Sequence, residues 1–166
     1  RPRKSTSQRA GEDMSEGSFF TTGMAPLVNW ARHNPLSRFT FLSSCCAVEY
    51  LAATGPHYDL SRSSGAFPCI RPEQADLLMV VGTVNMKSAP RLRQTWEQMS
   101  SPKWVVAVGA CACSGGCFEN YATVPGIDHI VPVDLYVPGC PPRPEQIIHG
   151  LIELQERIRN GTLRPR

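Results

Sequence analysis

The sequence predicts a single α/β domain built on a parallel sheet of about four strands with helices on both faces. Short apolar runs recur at residues 39–42, 77–81, 104–108 and 130–137, each ending in a loop of small residues or cysteines. Between them, residues 47–53, 89–99 and 145–158 are rich in Ala, Leu, Gln, Glu and Arg and carry apolar residues at helical spacing. Strands that alternate with helices join as parallel neighbours covered on both faces. A chain of 166 residues has the length of one ordinary domain.

Taken in order, residues 1–18 are polar, contain glycine and lack apolar periodicity, so they form a flexible N-terminal arm, and residues 19–166 form the domain. Leu27, Val28, Trp30 and Ala31 suit a short helix that stops before Pro35, because the residue preceding a proline is steered away from helical backbone. Each later run is short enough for a strand and too unbroken for a half-exposed one. No internal repeat or second domain is visible.

Composition narrows the function. Hydrophobic residues make up 42% and charged residues 19% of the chain, and no apolar stretch approaches the roughly 18 residues that span a bilayer. The net charge of +3 is mild and its basic residues are interspersed with acids, which speaks against nucleic acid as a partner. Neither a glycine-rich dinucleotide fingerprint nor a Walker-type phosphate loop is present. Seven cysteines is an odd number and points to metal or redox chemistry more than to a disulfide scaffold.

In an open parallel sheet, ligands bind beyond the carboxyl ends of the strands. Those are the loops that carry thiols: Ser43-Ser44-Cys45-Cys46, Gly109-Ala110-Cys111-Ala112-Cys113-Ser114-Gly115-Gly116, and Pro138-Gly139-Cys140-Pro141-Pro142. Four thiolates from Cys45, Cys46, Cys111 and Cys140 match the ligand count of one 4Fe-4S cluster. A structural zinc site draws on the same residue type but usually takes paired cysteines from knuckles. Buried core packing is the ordinary role of a lone cysteine and suits Cys69. A cysteine nucleophile would need a base beside it, and His33, His57, His129 and His149 carry no local signature of one.

The stretches Cys45-Cys46-Ala47-Val48-Glu49, Tyr58-Asp59-Leu60-Ser61-Arg62, Pro72-Glu73-Gln74-Ala75-Asp76, Gly82-Thr83-Val84, Ala89-Pro90 and, above all, IVPVDLYVPGCPP at 130–142 resemble a known family. It is the cluster-bearing, 20-kDa-type subunit of complex I, the proton-pumping NADH:ubiquinone oxidoreductase, and it is related to the small subunits of membrane-bound nickel-iron hydrogenases. The resemblance covers about residues 30–158 and includes the order and spacing of Cys45, Cys46, Cys111 and Cys140. It implies a flavodoxin-like fold and a terminal 4Fe-4S cluster that passes electrons to ubiquinone. It also implies partners: the large quinone-site subunit, a ferredoxin-like iron-sulfur subunit and the membrane arm. Val48, Glu49 and Leu51 would line the quinone side, with Glu49 as an ionisable group suited to the proton demand of quinone reduction.

The chain departs from the family pattern in several places. Relatives in mitochondria usually show Gly-Ser-Cys-Ala-Asn-Gly-Gly-Gly-Tyr-Tyr where this sequence has Gly109 to Phe118, so Cys113 and Cys117 are additional thiols near Cys111, whose choice as ligand rests on family register. The same stretch leans toward the hydrogenase branch, which makes the electron-transfer subunit of a membrane-bound hydrogenase the alternative function and a structural zinc protein a third. Ser37 stands where relatives often have Trp. The first ten residues, RPRKSTSQRA, resemble an organelle-targeting remnant, which implies the matrix side of the mitochondrial inner membrane as a peripheral protein. The alternative location is the cytoplasmic side of a bacterial membrane.

Overall fold

The computed structural model describes residues 36–163 apart from 65, 66 and 119. The arm expected at 1–18, the helix expected near 27–31 and His33 lie outside the described residues. Five strands, β1 (Ser37–Leu42), β2 (Phe67–Pro68), β3 (Leu77–Val81), β4 (Trp104–Val108) and β5 (Leu135–Val137), form one wholly parallel sheet in the order β2-β1-β3-β4-β5. This is the flavodoxin-like order.

The sheet has one strand more than the apolar runs indicate. β2 is two residues long, both exposed, and includes Pro68, so no buried run announces it. It is held at the edge of the sheet by the Phe67 amide donating to Leu36 O (2.8 Å) and the Cys69 amide donating to Arg38 O (2.9 Å); an edge is where a strand tolerates proline. The last strand is shorter than the run at 130–137. Ile127–His129 form a 3₁₀ turn, and Val131 is buried from irregular chain before pairing with β4 begins at Leu135.

The helices are α1 (Ser44–Thr54), α2 (Leu60–Ser64), α3 (Ala89–Gln98), α4 (Ala110–Ser114) and α5 (Pro144–Arg159). The first, third and fifth match the stretches expected to be helical, each within a few residues. α2 and α4 are single turns too short to show a periodic pattern.

Every residue of β3 and β4 is buried, and successive side chains alternate between two cores. Leu77, Met79 and Val81 join Trp104, Val106 and Val108 beneath α1 and α5, where Tyr50, Leu151 and Leu154 close the layer. Leu78, Val80, Val105 and Ala107 face the other way, toward Leu92 of α3 and Ala112 of α4. Burial on both faces explains why these runs are unbroken rather than alternating. Each fully buried leucine contributes about 1.5–3 kcal/mol.

Helix placement follows from local chemistry. Gln146 Oε1 accepts a hydrogen bond from the Arg143 amide (3.0 Å) and Pro144 occupies the first turn, which fixes the start of α5. A Cβ at Gly150 would lie 2.6 Å from Val137 Cγ2, so glycine lets α5 rest directly on β5. At the end of α3, Lys103 Nζ donates to Trp96 O (2.8 Å) and lies 4.1 Å from the Trp96 ring centre, covering carbonyls that the helix leaves open.

The strand order reverses between β1 and β3. The crevice outside their carboxyl ends is where this fold places a ligand.

Candidate metal centre

The backbone at this edge is built as a staircase. The first residue past each strand donates to the last residue of the next strand: Ser43 N to Val81 O (2.9 Å), Gly82 N to Val108 O (3.0 Å), and Gly109 N to Val137 O (2.9 Å). Ser43 adds its hydroxyl, which donates to Thr83 O at 2.6 Å. Two of these steps require glycine. Gly82 and Gly109 both have φ +94°, and a Cβ at Gly82 would lie 2.0 Å from Ser43 O.

The steps carry the thiols. Cys45 and Cys46 occupy the first turn of α1, the former exposed and the latter buried. A Cβ at Gly109 would lie 2.5 Å from Cys46 Sγ, so only glycine lets the turn between β4 and α4 pass this sulfur. Cys111 is buried in α4, and Gly116 crosses close behind it, where a Cβ would lie 3.2 Å from Cys111 Sγ. The third loop is tied to the second by the Ala110 amide donating to Gly139 O (2.8 Å), which leaves Cys140 exposed beside them.

These four thiols lie near enough to feel one another's charge. The Cys46 thiol is pushed up to about 12, first by burial, then by the charge and hydrogen bond of Cys45, then by Cys111 and Cys140. The Cys140 thiol is also raised, by loss of hydration first and then by Cys117, Cys111 and Cys45. Cys46 and Cys140 therefore resist ionising unless a cation sits beside them, and its binding would release their protons. Among the described residues, no three His, Cys, Asp or Glu side chains are gathered tightly enough to hold a metal ion. Thiols drawn from three separate loops differ from the paired knuckle cysteines of a structural zinc site.

The remaining cysteines take different places. Cys113 Sγ turns back to the sheet, 3.8 Å from both Ala107 O and Val137 O. Cys69 Sγ donates to Arg38 O (3.3 Å) beside β1. Cys117 is exposed, and its charge is among the influences that raise the Cys140 thiol. Its sequence context, a Gly-Gly turn 23 positions before Cys140, carries no signal of that influence.

On α1, Cys46, Tyr50 and Ala53 form the buried stripe, whereas Val48 and Leu51 are 68% and 57% exposed. Glu49 is half-buried, one helical turn from Cys45. The structure adds a neighbour that sequence reasoning did not single out as a site residue. The Tyr58 hydroxyl bonds Glu145 Oε1 (3.1 Å) across 87 positions, and its pKa is raised by that bond first, then by loss of hydration and by the Glu145 and Glu49 charges. His57 packs edge-on against Tyr58, with ring centres 4.7 Å apart.

Exposed apolar side chains recur in the chain at or after the carboxyl ends of β1, β3 and β4: Leu42, Val48, Leu51, Met86, Phe118 and Tyr121. A groove of about 430 Å³ lies instead on the flank between β5 and α5, lined in part by Tyr136, His149 and Glu153, and reaches the cysteine edge at Pro138.

Comparison with known proteins identifies the family. Residues 44–154 match the family described as NADH ubiquinone oxidoreductase, 20 Kd subunit. The chain belongs to this family. An NADH-quinone oxidoreductase subunit of Flavobacterium johnsoniae is 49% identical over 155 residues, covering 93% of this chain and 85% of that protein. The corresponding subunit of Myxococcus xanthus is 53% identical over 137 residues, covering 82% and 73% respectively. The chain is therefore a subunit of an NADH-quinone oxidoreductase, as the resemblance implies.

Among solved structures, a chain of the membrane-bound sulfane sulfur reductase, an archaeal respiratory membrane complex, superposes with a TM-score of 0.76 at 37% identity over 82% of this chain and 77% of that one. A chain of an NAD+-reducing [NiFe]-hydrogenase in the H2-reduced state gives 0.52 at 20% identity over 80% and 94%, a likeness of fold alone. The two oxidoreductase relatives named above are bacterial, and among the described residues no helix is long and apolar enough to cross a membrane.

Proposed function

We propose that this subunit carries one 4Fe-4S cluster on Cys45, Cys46, Cys111 and Cys140 and passes electrons to a quinone bound against α1. The observation that carries the reading is that three strand-end loops at one sheet edge bear four thiols close enough to influence one another, with Gly109 leaving Cys46 Sγ its space. When bound, the cluster supplies one-electron oxidation and reduction.

The residues of this chain prepare the site. Burial and the charges of neighbouring thiols hold the Cys46 thiol protonated until a cation sits beside it, and sulfur donors favour soft metal ions. The staircase of backbone bonds fixes three loops to one sheet and limits how far the sulfurs move apart. Val48 and Leu51 offer an apolar surface to a quinone ring or tail, and the Glu49 carboxylate is placed one turn from Cys45 to hold or deliver a proton. Reduction of a quinone to a quinol takes up two protons, which gives a carboxylate beside the headgroup a chemical role.

The exposed Val48 and Leu51 on α1, with membership of a multi-subunit oxidoreductase, support covering partners: the large quinone-site subunit over α1, a ferredoxin-like iron-sulfur subunit as electron donor, and the membrane arm nearby. The bacterial relatives support a peripheral position on the cytoplasmic side of a cytoplasmic membrane; they lend no support to a mitochondrial placement based on the first ten residues.

The test is metal and sulfide analysis of the complex purified through this chain, with paramagnetic resonance of the reduced form. Iron and acid-labile sulfide in equal amounts, with a signal assigned to this subunit, are expected. Zinc without sulfide would establish the structural-zinc reading, and a nickel-bearing partner without an NADH-oxidising arm would establish the hydrogenase reading.

A further inference from the structure

The two edges of the sheet are finished differently. At one edge, β2 consists of two exposed residues and includes Pro68, and proline in an edge strand discourages a further strand from pairing. At the other, β5 reads Leu-Tyr-Val, without proline or charge, and no strand of the described residues lies beyond it. Val137 O is turned inward, where it accepts the Gly109 amide (2.9 Å). Peptide groups of successive strand residues point to opposite sides, so the N–H and C=O of Tyr136 point away from β4.

The groove of about 430 Å³ runs along this open edge. Tyr136 and Val137 project to opposite faces of the sheet, yet both line it, as only a cavity beside the strand allows. Its other wall is α5, where Glu145, His149 and Glu153 recur every fourth residue and so share one stripe. Among the described residues that line it there are two carboxylates and no lysine or arginine. Glu145 accepts a hydrogen bond from the Tyr58 hydroxyl (3.1 Å), and its carboxyl, held low first by its own backbone amide, is charged at neutral pH. Glu153 pairs with Arg157, which stands one turn further along α5, outside the lining.

We infer that this edge receives an extended segment of a neighbouring oxidoreductase subunit, which pairs with β5 through the Tyr136 backbone and sets a lysine or arginine against Glu145 and Glu153. The inference needs only that the chain is one subunit of a multi-subunit enzyme, and it does not draw on the thiol set. Main-chain bonds give an added strand its affinity, and the pockets beside it select its side chains. Here the pocket selects a cation. An acidic segment or a phosphate-bearing lipid headgroup would meet like charge. A second copy docked through the same edge would set one carboxylate stripe against another.

The experiment uses the assembled complex, with p-benzoylphenylalanine in place of Tyr136. The complex is irradiated and the adduct is mapped by mass spectrometry. The expected adduct joins position 136 to a single segment of another subunit, with a lysine or arginine beside the point of attachment. In the wild-type complex, hydrogen exchange at the Tyr136 amide is expected to be as slow as at amides inside β4. Glu153→Lys should lower the adduct yield severalfold, because it reverses charge in the groove, whereas the surface ion pair it removes matters little to folding. Changing the mapped partner cation to glutamate should restore the yield, which no misfolded variant would show. An adduct to this chain, to a second copy, to lipid or to a segment without lysine or arginine would overturn the inference. So would the absence of an adduct, a Tyr136 amide that exchanges as fast as an open loop, or a yield that Glu153→Lys leaves unchanged or that the partner's charge swap fails to restore. Iron and sulfide content decides the cluster reading separately.

Discussion

Strands β3 and β4 and the residues that immediately follow them make opposite demands on sequence. Within the strands, all ten positions are buried and filled by Leu, Met, Val, Ala or Trp, chosen for volume and apolarity. One residue later, each strand reaches a glycine at φ +94° whose amide bonds the neighbouring strand and whose missing Cβ makes room for another loop. The strands set stability through many replaceable contacts, and the steps set the position of the sulfurs through a few contacts that no side chain can replace. Fold and site are therefore separable by mutation.

The largest effect is expected at the steps. Gly82→Ala would press a Cβ against the Ser43 carbonyl, a backbone atom that cannot rotate away, in a conformation costing about 1–3 kcal/mol for a side-chain-bearing residue. The variant should fail to accumulate in the complex, as seen by immunoblot of purified membranes. Gly109→Ala, whose Cβ meets Cys46 Sγ, should assemble to a lesser degree and lose iron beyond that loss. Iron per assembled subunit equal to wild type in Gly109→Ala would break the separation between strand and step.

Within the strands, Leu77→Ala removes a fully buried side chain and should cost about 2–5 kcal/mol, read as a lower thermal midpoint, while folded molecules keep their full metal content. A loss of metal out of proportion to the loss of folded protein would show that the strands also tune the site.

A smaller change is expected at Glu49. In Glu49→Gln the carboxylate becomes an amide of similar shape, so quinone reductase turnover or its pH profile should alter with iron content unchanged. An identical turnover and profile would remove Glu49 from the quinone side and leave the thiol set standing.

The smallest effect belongs to Tyr58→Phe. The Glu145 carboxyl is held below the usual carboxylate range by its own backbone amide first, and then by the Tyr58 hydroxyl. A lowered folded pKa contributes stability above the unfolded value, about 4.3 for Glu, and loses it as pH falls through the folded value. The variant should therefore be slightly less stable than wild type at neutral pH, and the difference should close in acid below the carboxylate range. Denaturant midpoints measured across that range check this, and a difference that grew with falling pH would contradict the sign.

The division between strand and step also governs what is legible in the sequence. The apolar runs at 77–81 and 104–108 mark β3 and β4 residue for residue because burial on both faces leaves no polar interruption. Phe67–Pro68 is invisible for the opposite reason: an exposed two-residue edge strand needs only backbone bonds. The run at 130–137 misleads because Val131 is buried by a turn, not by a ladder. At the site, the loops that bear Cys45, Cys46, Cys111 and Cys140 stand out in sequence as thiols beside glycine, proline or serine at strand ends. The nearness of Cys117 to Cys140 and of Tyr58 to Glu145 depends on how separate loops fold together, and no local pattern encodes it.

The central claim is that the four strand-end thiols hold one iron-sulfur cluster, and it is tested most directly by changing Cys140 to Ser in the assembled complex and recording the reduced-state paramagnetic signal of this subunit. Cys140 is the decisive choice because it is exposed, lies outside both cores and is held in a loop fastened to α4, so its loss leaves the packed fold intact. The account predicts that the subunit still assembles while its signal is lost or shifted and its iron falls. An unaltered signal with full iron content in Cys140→Ser would contradict the ligand set.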